Sequence, residues 1–266
     1  LRFEPIAADN PGPVQFTRTR IAFGSERLSP LAQNPPAIAN VNWVHPVDSM
    51  PSLLVCDMNA GIMYEARPNS QQAISMEIHS SVQLNHPCHT SITDLDGNGQ
   101  ADILVADLGS FLPEDHQKGK VAWVRRDSSG EFTSDILFDG IGRVTDVQAS
   151  DFDADGDLDL IVAEFGWRST GHIHYLENQG LHDGIPVFRP RLLDDRHGCI
   201  QLPVVDLDQD GDVDFVAVIS QEHETVIAFL NRGDGTFRQQ VIFAADNPSF
   251  GSSGVDPVDL DQDGDT

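Results

Sequence analysis

One acidic string, written out four times, limits what this 266-residue chain can fold into more than any other feature. Asp94-Leu-Asp-Gly-Asn-Gly-Gln-Ala-Asp102, Asp151-Phe-Asp-Ala-Asp-Gly-Asp-Leu-Asp159 and Asp206-Leu-Asp-Gln-Asp-Gly-Asp-Val-Asp214 are copies, and Asp259-Leu-Asp-Gln-Asp-Gly-Asp265 begins a fourth. The copies start at residues 94, 151, 206 and 259, so successive starts lie 57, 55 and 53 residues apart. A period of this size marks a chain of stacked units, each unable to bury its own faces alone.

Each acidic string runs into a short β-rich stretch: Ile103-Leu-Val-Ala106, Leu160-Ile-Val-Ala163 and Phe215-Val-Ala-Val218. Leu53-Leu-Val-Cys56 matches them, but Val44, Pro46 and Asp48 stand where the acidic string should be, so the first copy has lost it. Second strands are expected at 120–124, 172–176 and 225–230, and third strands at 132–137, 187–193 and 237–243. A fourth, at 144–149, 200–205 and 254–258, leads into the next acidic string. Four short strands per unit, turn signals such as Asn231-Arg-Gly-Asp-Gly235 and no sustained helical period describe propeller blades. The expected fold is therefore all-β, a β-propeller of four-stranded blades stacked around an axis. A string of independent calcium modules would need closer spacing and more cysteine. Residues 1–37 read as an N-terminal segment with one outer strand at Val14 to Phe23. Blades are expected at about 38–80, 87–138, 142–193 and 198–243, with the start of a further blade at 251–266. Because Thr266 falls inside an acidic loop, further blades are expected to close the ring.

The spacing D-x-D-x-[DN]-G-x-x-D sets oxygens at alternate positions of a tight loop, which suits a hard cation taking six to eight oxygens. Side chains at positions one, three and five would converge with the carbonyl of position seven, and the carboxylate of position nine would close the shell. The expected ligands are Asp94, Asp96, Asn98, Gln100 and Asp102; Asp151, Asp153, Asp155, Asp157 and Asp159; and Asp206, Asp208, Asp210, Asp212 and Asp214. Asp259, Asp261, Asp263 and Asp265 form the truncated fourth set. Gly99, Gly156, Gly211 and Gly264 fill position six, where a positive φ is cheap only for glycine. An EF-hand needs Glu at position twelve and flanking helices; here that position is Val105, Val162 and Ala217, each inside a strand. Calcium fits better than magnesium, which keeps several waters, and a clamp on a hairpin reads as structural.

A formal charge of −26, from 42 acidic against 16 basic residues, argues against nucleic acid, since phosphate binding needs a basic surface. No window approaches a membrane span. Cys56, Cys88 and Cys199 are too few for a disulfide framework and read as buried free thiols, with a Cys56 to Cys88 bridge open. His86-Pro-Cys88-His89, with His172 and His174, raises a soft-metal or haem site, but C-x-x-C-H is absent and alternating histidines on a strand read as surface or packing groups. Zinc is not expected. H-E-x-x-H, G-x-S-x-G and the phosphate-loop motif are all missing, and Gly251-Ser-Ser-Gly254 reads as a turn. Acid pairs near an axis can run glycoside chemistry, to which Asp146 or Glu164 could contribute, a weak signal in so acidic a chain.

From Val144 to Gly166 the chain resembles the FG-GAP/VCBS repeat, also found in the integrin α-chain propeller, and the similarity extends from about Val44 to the end. The resemblance implies a propeller, often of seven blades, calcium in the hairpins between first and second strands, and an extracytoplasmic setting: periplasmic, secreted or cell-surface. It also orients the blade, so that the loops opposite the calcium carry Trp167, Arg168, Arg196, His197 and His223, expected to meet a protein partner or larger assembly. The function expected is a non-catalytic binding or assembly subunit. A lectin-like propeller would repeat aromatic platforms blade by blade, yet Trp167 has no counterpart in Ser220-Gln-Glu-His223. A glycan- or lipid-acting enzyme domain would place one blade-specific polar cluster in the axial channel.

Overall fold

The strands that follow the three acidic loops, Asp102–Asp107, Asp159–Glu164 and Asp214–Ile219, are buried at all six positions. A strand covered on both faces cannot alternate polar with apolar, which is why these segments read as continuous Val, Ile, Leu and Ala. Neighbouring sheets cover both faces of the first two of these strands and one face of the third. The computed structural model describes residues 22–23, 36–44, 51–68 and 75–259. Most of the outer strand expected at Val14 to Phe23, the degenerate loop at Pro46 and Asp48, and Asp261, Asp263 and Asp265 lie outside the described residues.

In chain order the strands are β1 (Ala22–Phe23), β2 (Ile38–Val44), β3 (Ser52–Asp57), β4 (Ile62–Pro68), β5 (Ser75–Gln83), β6 (Pro87–Thr93), β7 (Asp102–Asp107), β8 (Gly119–Arg126) and β9 (Phe132–Ile141). There follow β10 (Val144–Ser150), β11 (Asp159–Glu164), β12 (His172–His182), β13 (Ile185–Asp194), β14 (Cys199–Gln201), β15 (Val204–Val205), β16 (Asp214–Ile219), β17 (Thr225–Asn231) and β18 (Phe237–Ala244). They form four antiparallel meanders: β2 to β5, β6 to β9, β10 to β13, and β14 and β15 through β18. The two-residue β1 adds to the first sheet in parallel beside β5. No helix occurs among the described residues. The fold is all-β, and the sheets are propeller blades.

Three of the cores among the described residues lie between blades, and a fourth, with Val55, Tyr64, Ala66 and Met76, belongs to the first blade alone. Leu54, Cys56 and Met63 of the first meet Ile103, Val105 and Val124 of the second. Leu104, Ala106 and Trp123 of the second meet Leu160, Val162 and Leu176 of the third. Ile161, Ile173 and Tyr175 of the third meet Phe215, Ala217 and Phe229 of the fourth. Alternate residues of one strand thus serve two different cores, since successive side chains leave opposite faces of a sheet.

Two expected strands differ. The run at 200–205 is split into β14 and β15, because Pro203 has no N–H for the ladder and the Leu202 N–H turns to Asp146 Oδ2 of the neighbouring blade at 2.7 Å. Residues 254–258 form no strand. Backbone donors there go to side chains, Ser252 N–H to Glu224 Oε2 and Val255 N–H to Gln201 Oε1, each at 2.9 Å. Cys56, Cys88 and Cys199 are all free thiols, which removes the Cys56 to Cys88 bridge.

Candidate metal loops and the opposite face

Each acidic loop joins the first two strands of its blade: β6 to β7, β10 to β11, and β15 to β16. Position six is left-handed in all three, with φ of 83° at Gly99, 97° at Gly156 and 96° at Gly211. Position four is left-handed too: Gly97, but also Ala154 and Gln209, both at 59°. Two left-handed residues two apart curl the backbone so that its N–H groups point inward at the carboxylates. Asp94 accepts from the N–H groups of Asn98 (2.9 Å) and Gly99 (2.8 Å). Asp151 accepts from Asp155 and Gly156, both at 3.1 Å, and Asp206 from Gly211 at 3.2 Å. Position five folds back on position seven: Asn98, Asp155 and Asp210 accept from the N–H groups of Gln100, Asp157 and Asp212.

The result is three groups whose acidic oxygens lie within 4.8 Å of one another: Asp94, Asp96 and Asp102; Asp151, Asp153 and Asp155; and Asp206, Asp208 and Asp210. Burial, then the neighbouring charges of Asp155 and Asp151, raises the pKa of Asp153. Like charges brought this close disfavour the ionised form. Position nine is a different environment. Asp102, Asp159 and Asp214 are buried. Asp159 accepts from Tyr175 Oη at 2.6 Å and from the Asn178 N–H at 2.8 Å, and Asp214 from the N–H groups of Asn231 at 2.7 Å and Leu207 at 2.9 Å. Burial pushes Asp159 up to about 6 against these bonds. Only Asp102 joins its loop's converging group; Asp159 and Asp214 tie the loop to the next strand of the blade.

The other ends of the blades bring Trp167 and Arg168 of the β11 to β12 loop, Arg196 and His197 of the β13 to β14 loop, and His223 of the β16 to β17 loop to one face. Trp167 is half-buried, with the Arg168 guanidinium 5.8 Å above its ring. His197 and His223 meet edge to face at 5.0 Å. Arg196 is held by Asp194, Nε to Oδ1 at 2.8 Å, so part of its function is to brace its own loop. The His223 loop is strained: Gln221, Glu222 and Glu224 all have positive φ, at 50°, 77° and 45°. Backbone held this way is characteristic of places where geometry serves something other than stability.

Residues of β2, β6, β10 and β14 and their adjoining loops line an open hollow of about 490 Å³ that includes Asn40, His89, Arg143, Asp146 and Gln201. Asp146 is engaged there by His89 Nδ1 at 2.9 Å, Gln148 Nε2 at 2.9 Å and the Leu202 N–H. Glu164 has other partners: His172 Nδ1 and His174 Nε2 both reach its Oε2 at 2.8 Å, and Gly142 N–H donates to its Oε1 at 2.7 Å. Asp146 and Glu164 therefore serve separate networks instead of forming an acid pair. The grouping of Glu164 with two histidines is one that spacing along the chain does not announce.

Among the described residues no helix is long and apolar enough to cross a membrane. No curated protein matches the chain. A family profile for the FG-GAP-like repeat matches residues 94–162 and 206–266, two stretches that each open on the first Asp of an acidic loop and take in the strand after it. Repeat, blade and loop coincide, and over these stretches the chain is built of FG-GAP-like repeats of the β-propeller type.

Proposed function

We propose that this chain is a calcium-stabilised, non-catalytic, extracytoplasmic propeller that holds a protein partner, or a place in a larger assembly, on the face opposite its acidic loops. The observation that carries the metal half is the convergence of three carboxylates in each of three loops. Among the described residues no Lys or Arg forms an ion pair with any of them, although Arg125 and Arg126 lie beside the first loop and pair instead with Asp135 and Glu65. Oxygen-only ligands in a tight loop suit calcium. Asp94, Asp96, Asn98 and Asp102 with the Gln100 carbonyl would hold the first ion. Asp151, Asp153 and Asp155 with the Asp157 carbonyl would hold the second, and Asp206, Asp208 and Asp210 with the Asp212 carbonyl the third. Asp259 to Asp265 supply the start of a fourth set. An extracytoplasmic setting follows from the need for plentiful calcium.

The recognition half rests on a contrast. The acidic loops repeat one conformation, whereas the loops at the opposite end differ from blade to blade and hold Trp167, Arg168, His197 and His223. Scaffolds demand repetition; recognition does not, and loops on rigid scaffolds commonly carry it. The test replaces Trp167 and His223 with Ala and follows both melting and co-purification of native partners in calcium. Association lost with melting intact supports the reading. Melting lost with association kept assigns these residues to the scaffold and overturns it.

A further inference from the structure

Two blades share a buried Asp at the last position of their second strand, and the other two depart from it. Asp57 at the end of β3 accepts N–H groups of Ala37, Asn59 and Ala60, and Asp107 at the end of β7 accepts those of Asn85, His86 and Gly109. Each buried carboxylate spends both turns of its blade on backbone donors alone. The third blade has Glu164 here, and the fourth has Ile219. The additional methylene of Glu164 keeps one backbone bond, from Gly142, and carries the second oxygen out to His172 and His174.

Neither histidine is required by the scaffold. In the antiparallel register His172 lies opposite Glu164, and the corresponding residues elsewhere are Lys120, Ile62 and Thr225. His174 corresponds to Ala122, Tyr64 and Ile227, so three blades do without a histidine at either place. Residues 172 and 174 share a face of β12, and their rings stand 5.5 Å apart. The three ligand atoms, one carboxylate oxygen and two imidazole nitrogens, lie within 4.8 Å of one another.

The geometry points to a binding site for one divalent transition-metal ion, formed by Glu164 Oε2, His172 Nδ1 and His174 Nε2 at the seam between the second and third blades. Two nitrogens and one oxygen are wrong for calcium, which takes oxygens, and suit zinc and its first-row neighbours. The surroundings are those of a ligand set under control. Gly142 N–H fixes the carboxylate through the oxygen that does not ligate, as outer-shell donors do at metal sites. Phe138 of the neighbouring blade packs edge-on against His174 at 5.3 Å, limiting its ring. Glu164 is buried, with its side chain 3% exposed, His174 is 13% exposed and His172 36%. The fourth coordination position therefore faces solvent, open to water or to a ligand atom from a partner. Binding requires each histidine to turn a deprotonated nitrogen to the ion.

The test is calorimetric titration of Zn²⁺ into the full chain held in excess Ca²⁺, so that the acidic loops do not compete. One saturable equivalent is expected. In His172→Ala, whose side chain is partly exposed and whose removal leaves the seam intact, affinity should fall at least tenfold while calcium-dependent melting is unchanged. Glu164→Gln, which keeps the Gly142 bond, should do the same. Co²⁺ bound in place of Zn²⁺ should give visible ligand-field absorption that Zn²⁺ abolishes. Absence of a saturable equivalent in Ca²⁺ would overturn the site, and so would Zn²⁺ affinity that His172→Ala leaves unchanged, since the ion would then sit on other residues.

Discussion

Asp115 and Thr170 lie 55 residues apart, in loops of two different blades, yet Asp115 Oδ1 accepts both the Thr170 N–H at 3.1 Å and its hydroxyl at 2.9 Å. The same oxygen takes the N–H groups of Arg168 and Ser169 at 3.0 Å. One exposed carboxylate thus sets the conformation of the segment beside Trp167. Backbone donation, from Ser169 first and then Arg168, holds the Asp115 pKa well below the ordinary carboxylate range. A folded-state pKa below the unfolded value of about 3.9 contributes stability above that pH and loses it as pH falls through the folded value. The amide resonances of Arg168, Ser169 and Thr170 should therefore stay unchanged from pH 7 to about 4 and move only below it. In Asp115→Ala they should already be displaced at pH 7, and identical spectra for the two proteins would refute the clamp.

Chelation should destabilise the fold. An ion that binds only the native state stabilises it by mass action, about 2.7 kcal/mol at a hundred times the dissociation constant for each site. Melting in excess Ca²⁺ should exceed melting after calcium removal by many degrees. Asp155→Ala should reproduce part of that loss, because it removes one member of a converging trio, whereas Asp183→Asn on the exposed β12 to β13 turn should not. Equal melting with and without calcium would show that the loops carry no stabilising ion.

Blade number, strand order and the acidic loops were legible because each rests on a local pattern repeated three times. Less was legible where the determinant is register. Glu164 is eight and ten residues from His172 and His174, and only the exact pairing across the β11 to β12 loop puts them together. Reading Asp57, Asp107 and Glu164 down one column would have flagged the exception. Pro203 was also readable: a residue without an N–H should have split the expected strand at 200–205. At position nine the loop motif does not reveal that Asp159 and Asp214 also accept from Tyr175 and Asn231, because those partners come from other strands.

Position four of the acidic loop offers a stability test that touches no contact. Ala154 sits at φ 59°, where a side chain costs roughly 1–2 kcal/mol, while glycine loses about 0.5–1 kcal/mol in chain entropy. Ala154→Gly should be neutral or stabilising by up to about 1 kcal/mol, and the first loop already has Gly97 there. Gly156→Ala should cost at least about 1 kcal/mol through backbone strain alone, since a Cβ there meets nothing within 4 Å. Denaturant midpoints of the two variants measure the pair. A loss in Ala154→Gly as large as that in Gly156→Ala would mean that the left-handed conformation is not what limits these loops.

Phe152, position two of the second loop, is where metal binding and core packing meet. Its ring is 1% exposed and lies edge-on to Tyr175, Phe215 and Phe237, within the core between the third and fourth blades. Its carbonyl accepts Asn231 Nδ2 at 2.8 Å and the Gly235 N–H at 2.9 Å, from the end of β17 and the turn after it in the fourth blade. The acidic residues on either side, Asp151 and Asp153, are therefore positioned from the core side by a residue that never faces the ion. Truncating so enclosed a ring should cost about 3–5 kcal/mol. Because Phe152 also sets the loop, Phe152→Ala should weaken the second calcium equivalent in calorimetry while leaving those of the first and third loops near their original affinities. Phe152→Leu, which puts at this position the residue found as Leu95 and Leu207, should retain that equivalent and lose less stability. If Phe152→Ala unfolds the chain outright, Phe152→Val decides the matter: a weakened second site with the first and third intact would place Phe152 in the loop's geometry, whereas an unchanged second site with reduced melting would confine it to the inter-blade core.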